Sequence, residues 1–313
     1  MKPLSSAEIA GNWATLLLPI QADGAIDYPL LGAEIDALIA ADVDGIYSNG
    51  SAGEFYAQTE AEFDRISQLL AEKCERAQMP FQIGVSHTSA QIARDRLRRA
   101  RALSPSGVQV ILPDWFIPSW PEIIDFLTVM VREAAPVPVI LYNPTHAKRR
   151  LAPPDWIRLM EEVPLLAGMK VPAGDASWYQ EMQPVLKRLS VFVPGHTLAT
   201  GIGQGAHGAY SNVCCLSPVG AQRWTDLCRT DLPAALELEQ RIQAVFRDEI
   251  APLITRDGLA NMAADKAAAV AGSWLPGLHQ RLRWPYRCAS DERVAAIAAA
   301  ARRILPEFLT APR

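Results

Sequence analysis

Three polar side chains stand where apolar runs of this chain end. Lys170 closes the run Leu166–Lys170, Tyr142 closes the run Val139–Tyr142, and Ser51 lies in a glycine-flanked loop after a third run. A buried ammonium costs several kcal/mol unless it is paired or neutralised, so a lysine at the end of a buried strand tends toward its neutral amine. A neutral amine is the nucleophile that forms a Schiff base with a carbonyl substrate. The sequence therefore predicts that the amine, the phenol and the hydroxyl belong to one site of carbonyl chemistry.

The elements that must position these side chains are short β-rich runs, which alternate with longer segments of helical periodicity. The predicted strands are Trp13–Pro19, Gly45–Ser48, Phe81–Gly84, Val108–Leu112, Val139–Tyr142, Leu166–Lys170, Val191–Pro194 and Gly208–Ser211. Helices are predicted between them, among others over Thr59–Arg76, Ser89–Leu103, Trp120–Ala134 and Pro154–Glu162. Eight strands that alternate with helices imply parallel βα units of the α/β class, which close most naturally as a (β/α)8 TIM barrel. The alternative is an open doubly wound sheet, which is disfavoured because no G-x-G-x-x-G follows the first strand.

The pattern changes after about Asp231. No strand run remains, and the segments Ala234–Ala251, Leu259–Ala271 and Asp291–Ile304 have helical periodicity. We therefore expect residues 1–230 to form the barrel that carries the active site, and residues 231–313 to form a C-terminal helical appendage packed on it.

Each candidate side chain also has a purely structural explanation. Lys170 could reach past the strand end and form a salt bridge with Glu54. Tyr142 could bind a backbone group, and Ser51 could close a turn with its own backbone. In a barrel of this type, however, the carboxyl ends of the strands face the active site. Because all three residues lie at such ends, their joint placement favours chemistry.

The composition limits the possible functions. Half of the 313 residues are apolar, and a formal net charge of −4 argues against a nucleic-acid partner. Five cysteines without C-x-x-C spacing indicate reduced thiols in a cytoplasmic protein. The apolar run 14–20 is too short to span a bilayer, so we expect no membrane association. The five histidines show neither H-x-H nor H-E-x-x-H spacing, and we expect no metal site.

Four motifs resemble one known family. They are Gly50-Ser-Ala-Gly-Glu54, Tyr142-Asn-Pro144, Gly168-Met-Lys170 and Gly205-Ala-His-Gly-Ala-Tyr-Ser211. In this order they are similar to the dihydrodipicolinate synthase / N-acetylneuraminate lyase superfamily of class I, Schiff-base aldolases. The resemblance extends over nearly the whole length and includes Arg283-Trp-Pro285 and the small-residue helix around Lys266.

The resemblance implies a lyase, aldolase or dehydratase that acts on pyruvate or a related 2-keto acid without a metal or organic cofactor. It also implies a homo-oligomer, either a tetramer or a dimer. Lys170 would form the imine, Tyr142 would transfer protons, and Ser51 would orient Tyr142. Ala52, Tyr210, His146 and Trp115 are the residues that we expect to contact substrate.

Some positions depart from the family pattern. Ala52 stands where the family has a second hydroxyl residue, so the loop backbone would have to bind the carboxylate of the keto acid. Trp115 replaces a second tyrosine of the synthases, and His146 replaces the arginine that grips the aldehyde substrate. One of the cations at 148–150 (Lys148, Arg149 or Arg150) could take over from that arginine. We therefore favour a sibling lyase over an authentic dihydrodipicolinate synthase (4-hydroxy-tetrahydrodipicolinate synthase).

Two further classes stay open at the level of sequence. A barrel enzyme without a Schiff base, such as a phosphosugar isomerase, would need a strong phosphate loop after strands seven and eight. A non-catalytic barrel that only binds a ligand is the other class, and the replacements at Ala52 and Trp115 make it conceivable. Trapping of an imine with a reductant separates these classes from a Schiff-base enzyme.

Overall fold

The computed structural model describes residues 1–309, and its centre is a closed barrel of eight parallel strands. The strands are β1 (Gly11–Thr15), β2 (Gly45–Ser48), β3 (Phe81–Gly84), β4 (Gly107–Ile111), β5 (Val139–Tyr142), β6 (Leu166–Lys170), β7 (Ser190–Pro194) and β8 (Gly208–Tyr210). Each strand pairs with the next one in the chain, and β8 closes the barrel on β1. The predicted TIM barrel of the α/β class is thereby confirmed.

The helices that surround the strands include all those predicted. Before β6 they are α1 (Tyr28–Ala40), α2 (Glu60–Ala77), α3 (Ala90–Ala102), α4 (Trp120–Ala134) and α5 (Pro153–Glu162). From β6 to residue 230 they are α6 (Ala176–Glu181), α7 (Gln183–Leu186), α8 (Leu198–Gly203), α9 (Asn212–Leu216) and α10 (Pro218–Thr230). Helix α2 begins at a capping box, in which Thr59 and Glu62 each accept a hydrogen bond from the other's backbone N–H.

The first strand differs from its predicted bounds at both ends. It covers Gly11–Thr15 instead of Trp13–Pro19, although Leu17 and Leu18 are fully buried. The backbone N–H of Leu17 donates to the Glu34 carboxylate (2.7 Å), and the carbonyl of Leu18 accepts from the Lys266 ammonium (2.7 Å). The run is apolar because other parts of the chain cover it, and not because it continues the sheet. Three other strands differ from their predicted bounds by one residue.

The C-terminal segment is helical as far as it is described. It comprises α11 (Leu232–Val245), a π-helical turn (Phe246–Ile250), α12 (Ala251–Thr255), α13 (Asn261–Gly272), α14 (Asp291–Ile304) and α15 (Pro306–Leu309). Alanines on α13 are buried where this helix packs against α9 and α14. The predicted boundary at 230 falls between α10 and α11, which also pack together, and the division into two parts stays a prediction. Residues 310–313 of the predicted appendage lie outside the described residues.

A buried ion pair connects this segment to the barrel. The Lys266 ammonium, on α13, lies 2.7 Å from the Glu54 carboxylate, and neither side chain is exposed to solvent. Lys266 also donates to the carbonyl oxygens of Leu18 and Arg281, and the second Glu54 oxygen accepts from the backbone N–H of Arg283 (2.7 Å). The alternative that Glu54 pairs with the lysine of the predicted site is therefore wrong.

We expect Lys266→Met to lower the free energy of unfolding by about 3–5 kcal/mol, because the substitution leaves the Glu54 charge buried without its partner. Urea unfolding at fixed protein concentration measures the change. The matched control is Lys73→Met, which breaks an ion pair with the largely exposed Asp36 and should cost at most about 1 kcal/mol. Equal effects of the two substitutions would contradict a special role for the buried pair.

Candidate active site

The barrel register places Lys170 beside Tyr142. The two residues are aligned partners at the carboxyl ends of β6 and β5, so their side chains project to the same side. The Lys170 carbonyl accepts a hydrogen bond from the backbone N–H of Asn143 (3.0 Å), which continues the pairing one step past the strands. As a result, the Lys170 ammonium nitrogen lies 4.2 Å from the centre of the Tyr142 ring.

The amine of Lys170 lies among three tyrosine rings. Besides Tyr142, the ring centres of Tyr210 and Tyr47 are 5.1 and 5.8 Å from the nitrogen. The hydroxyl groups of the latter two donate to Gln82 and Gln109, which are buried on β3 and β4. These hydrogen bonds fix the two rings beside the amine.

Burial lowers the pKa of Lys170 to about 8, although the nearby Asp265 and Cys215 act in the opposite direction. A lysine with that pKa is neutral in about a tenth of the molecules at pH 7, compared with a far smaller fraction for an exposed lysine. The amine is thus available as a nucleophile in the neutral pH range.

The Tyr142 phenol is kept in its protonated form. Burial raises the pKa of Tyr142 to about 12, the negative charge of Asp265 acts in the same direction, and a hydrogen bond with Ser51 opposes both. Ser51 lies in the loop after β2 that ends at Glu54, whose carboxylate is held by Lys266. A protonated phenol beside a neutral amine can donate the proton that a carbonyl addition requires.

Five of the seven predicted site residues line one cavity of about 260 Å³: Ser51, Ala52, Tyr142, Lys170 and Tyr210. A second, outer cavity of about 770 Å³ is lined by Ser51 and Tyr142 as well, so the two spaces adjoin each other. His146 lines the outer cavity. The inner space suits a small keto acid, and the outer one leaves room for a larger reaction partner.

Trp115 lies apart from both cavities within the described chain. It is 73% exposed and lines a surface groove together with Phe116 and Ile117. Its carbonyl accepts a hydrogen bond from the Lys148 ammonium (2.7 Å), which also lies 5.2 Å from the centre of its ring. The contact of Trp115 with substrate stays a prediction, and one chain alone does not bring this residue to the site.

The cations at 148–150 differ in placement. Arg149 lines the outer cavity, and its buried Nε has no hydrogen-bond partner among the described residues. Lys148 also lines that cavity, but its ammonium is bound to Trp115. Arg150 is exposed and is not part of the lining. Arg149 is therefore the cation best placed to meet an anionic reaction partner.

Several residues of the inner cavity were missed from the sequence, chiefly Tyr47 and Asp265. The alternation along β2 was a usable signal for Tyr47, because this side chain must point to the face opposite that of Ile46. For Asp265 the signal was a carboxylate next to Lys266 in a helix of small residues, which packing alone does not explain. Burial raises the pKa of Asp265 to about 7, and the positive charge of Lys170 opposes this rise.

Residues 1–309 contain neither a cluster of metal ligands nor a membrane-spanning helix. No group of three or more histidine, cysteine, aspartate or glutamate side chains is arranged there to hold a metal ion. In the same range, every helix is too short or too polar to cross a membrane.

Comparisons with known proteins agree on one family. The model of the "Dihydrodipicolinate synthetase family" matches residues 8–261. The 4-hydroxy-tetrahydrodipicolinate synthase of Sorangium cellulosum is 28% identical over 181 residues, which are 57% of this chain and 60% of that protein. The N-acetylneuraminate lyase of Rhizobium meliloti is 25% identical over 207 residues, which are 64% of this chain and 67% of that protein.

Solved structures show the same fold. One is YagE, a prophage protein of the dihydrodipicolinic acid synthase family from E. coli K12, determined in complex with pyruvate. It superposes with a TM-score of 0.82 at 22% identity, over 95% of this chain and 98% of that one. An N-acetylneuraminate lyase from Proteus mirabilis gives a TM-score of 0.80 at 19% identity, over 95% and 99% of the two chains.

Proposed function

The chain belongs to the dihydrodipicolinate synthetase family, and from this premise we propose that it is a Schiff-base lyase or aldolase acting on pyruvate or a related 2-keto acid. The observation that carries the proposal is the half-buried Lys170, whose amine lies among three tyrosine rings and whose pKa is lowered to about 8. Cleavage, condensation and dehydration are all covered, because each of them passes through the same imine. The activities named for the relatives from Sorangium cellulosum and Rhizobium meliloti support this class.

The site geometry supports the following steps. The neutral Lys170 amine attacks the ketone carbon, and the Tyr142 phenol donates a proton to the hydroxyl that leaves as water when the carbinolamine becomes an imine. Ser51 lines the same cavity as Tyr142 and lowers the pKa of its phenol, so it is placed to orient that group. The backbone at Ala52 is the position where the loop can bind the carboxylate. The protonated imine then accepts the electron pair of a bond that breaks at the adjacent carbon.

Self-association and location form part of the proposal. Trp115, Phe116 and Ile117 make an apolar patch that is 61–81% exposed, which a chain that stays monomeric in water would rarely keep. We assign this patch to contacts between copies in a dimer or tetramer. The cysteines of the described chain are all free, which supports a reducing, cytoplasmic setting.

The first test is trapping of the imine on Lys170. With pyruvate and borohydride, the unsubstituted chain should gain the mass of a reduced adduct, whereas Lys170→Ala and Lys170→Arg should gain none. Because only the neutral amine attacks, the rate of imine formation in timed samples should rise with pH and level off above about 8. Lys187→Ala, at the exposed end of α7, is the control and should trap normally. If pyruvate and a panel of other 2-keto acids give no adduct, the proposal fails.

The second test concerns the phenol and its partner. Tyr142→Phe removes the proton carrier and should slow imine formation by about 10²–10⁴-fold, the usual effect of losing a general acid–base group. Ser51→Ala should cost less, since Ser51 acts only through its hydrogen bond to the phenol. Quenched-flow trapping measures both rates. A larger loss in Ser51→Ala than in Tyr142→Phe would reverse the assigned roles.

The third test concerns the reaction partner. We expect aspartate semialdehyde to be a poor co-substrate, with kcat/KM below about 10⁴ M⁻¹s⁻¹, because His146 stands where the synthases have arginine. An aromatic or sugar-derived aldehyde should then be preferred. A second candidate function, authentic 4-hydroxy-tetrahydrodipicolinate synthase, is favoured by Arg149 alone. A higher value in a coupled assay, lost again in Arg149→Met, would establish this second candidate and overturn our expectation.

A further inference from the structure

We propose that Asp265 is a second catalytic residue of the site, which takes and returns the proton at carbon 3 of the imine-bound keto acid. In this assignment Tyr142 serves the addition and loss of water at carbon 2. The inference rests on the proposed Schiff-base function and deepens it, because it gives the two proton transfers to different side chains.

Asp265 is positioned at the proposed reaction site. Asp265 lies on α13, outside the eight βα units, yet it lines the inner cavity together with Lys170 and Tyr142. Its carboxylate accepts a hydrogen bond from the Asn261 side-chain amide (3.1 Å), one turn earlier on the same helix and also part of the lining. Asp265 is therefore held by its own helix and presented to the space that the substrate would fill.

The inner cavity also offers space beside the amine. The charges of Asp265 and Lys170 influence each other, but among residues 1–309 neither side chain belongs to an ion pair closer than 4.0 Å. Both side chains line the same cavity of about 260 Å³, which has room for the carbon atoms of a small keto acid next to the imine nitrogen.

Asp265 and Tyr142 differ in proton affinity. At neutral pH the Tyr142 phenol, whose pKa is about 12, is almost wholly protonated, so it can donate a proton but rarely accept one. A carboxyl group whose pKa is about 7 is present in both forms, which is the condition for efficient general acid–base catalysis. The titratable groups whose pKa the charge of Asp265 influences are Lys170 and Tyr142 from the barrel, Tyr56 from the segment after β2, and Cys215 from α9.

The step balances without a further reactant. The Asp265 carboxylate takes a proton from carbon 3, the C–H electron pair becomes the double bond between carbons 2 and 3, and the C=N π pair moves to the nitrogen. The product is a neutral enamine beside a protonated carboxyl group. In the cleavage direction, the same carboxyl returns its proton to carbon 3, and the imine is ready for hydrolysis.

The orientation of Asp265 depends on its neighbour in sequence. Successive residues of an α-helix project about 100° apart, so Lys266 and Asp265 point in different directions from α13. Because Lys266 is held by Glu54 and two carbonyl oxygens, the rotation of this helix is fixed and Asp265 faces the cavity. A positioning role for Asp265 toward Lys170 is the competing explanation that an experiment must separate.

The experiment uses the full chain with pyruvate and two readouts. Borohydride trapping reports the imine on Lys170, and loss of the methyl proton signal in D₂O, followed by NMR, reports proton transfer at carbon 3. We expect Asp265→Asn to trap pyruvate within about threefold of the unsubstituted chain while its exchange slows about 10²–10⁴-fold. Asp265→Glu should restore part of the exchange. Asp36→Asn, an exposed carboxylate on α1, is the control and should change neither readout.

The possible outcomes distinguish a failure of the role assigned to Asp265 from a failure of the Schiff-base function. Normal trapping with unchanged exchange in Asp265→Asn would overturn the role of Asp265 alone. Loss of both trapping and exchange in a variant with an unchanged urea midpoint would show a positioning role and would also overturn it. If the unsubstituted chain traps no keto acid, the Schiff-base function itself fails, and the assignment of Asp265 fails with it.

Discussion

The buried ion pair between Lys266 and Glu54 is the contact on which the rest of the site depends. It joins α13 to the loop after β2, and its remaining hydrogen-bonding capacity is used by backbone groups from two other segments. Two buried charges are tolerated only when they pair with each other and their remaining hydrogen-bonding groups also find partners. The pair therefore sets the position of Ser51 in the loop and of Asp265 on the helix at the same time.

Desolvation is the single physical cause that shifts the pKa values of three side chains in the site. Removal from water disfavours every charged form, so it lowers the pKa of Lys170 and raises those of Tyr142 and Asp265. In the proposed reaction the amine would act as the nucleophile, the phenol would stay an acid, and the carboxyl could exchange protons near neutral pH. A better solvated site would return the pKa values of all three groups toward their ordinary values and would weaken all three proposed roles at once.

The fold and the Lys170–Tyr142 pair could be predicted from the sequence, but the part of the inner cavity wall that comes from outside the barrel could not. Strand ends could be located because β-rich runs stop abruptly, and so Lys170 and Tyr142 were placed correctly on adjacent strands. Asp265 was missed because its helix comes from outside the barrel repeat, and no local pattern shows which face of that helix meets the cavity. The bounds of β1 were wrong for a related reason, since the leucines that follow it are buried by distant helices.

The same ion pair has a consequence for how this chain can change over generations. Glu54 and Lys266 are separated by 212 positions in sequence, so no local constraint links them, yet either charge alone would be stranded in the interior. A lineage that lost one charge would have to pass through a poorly folded ancestor or lose the other charge in the same step. Positions 54 and 266 should therefore change together during evolution. When this sequence is recombined with another, the barrel and its last helices should come from the same parent.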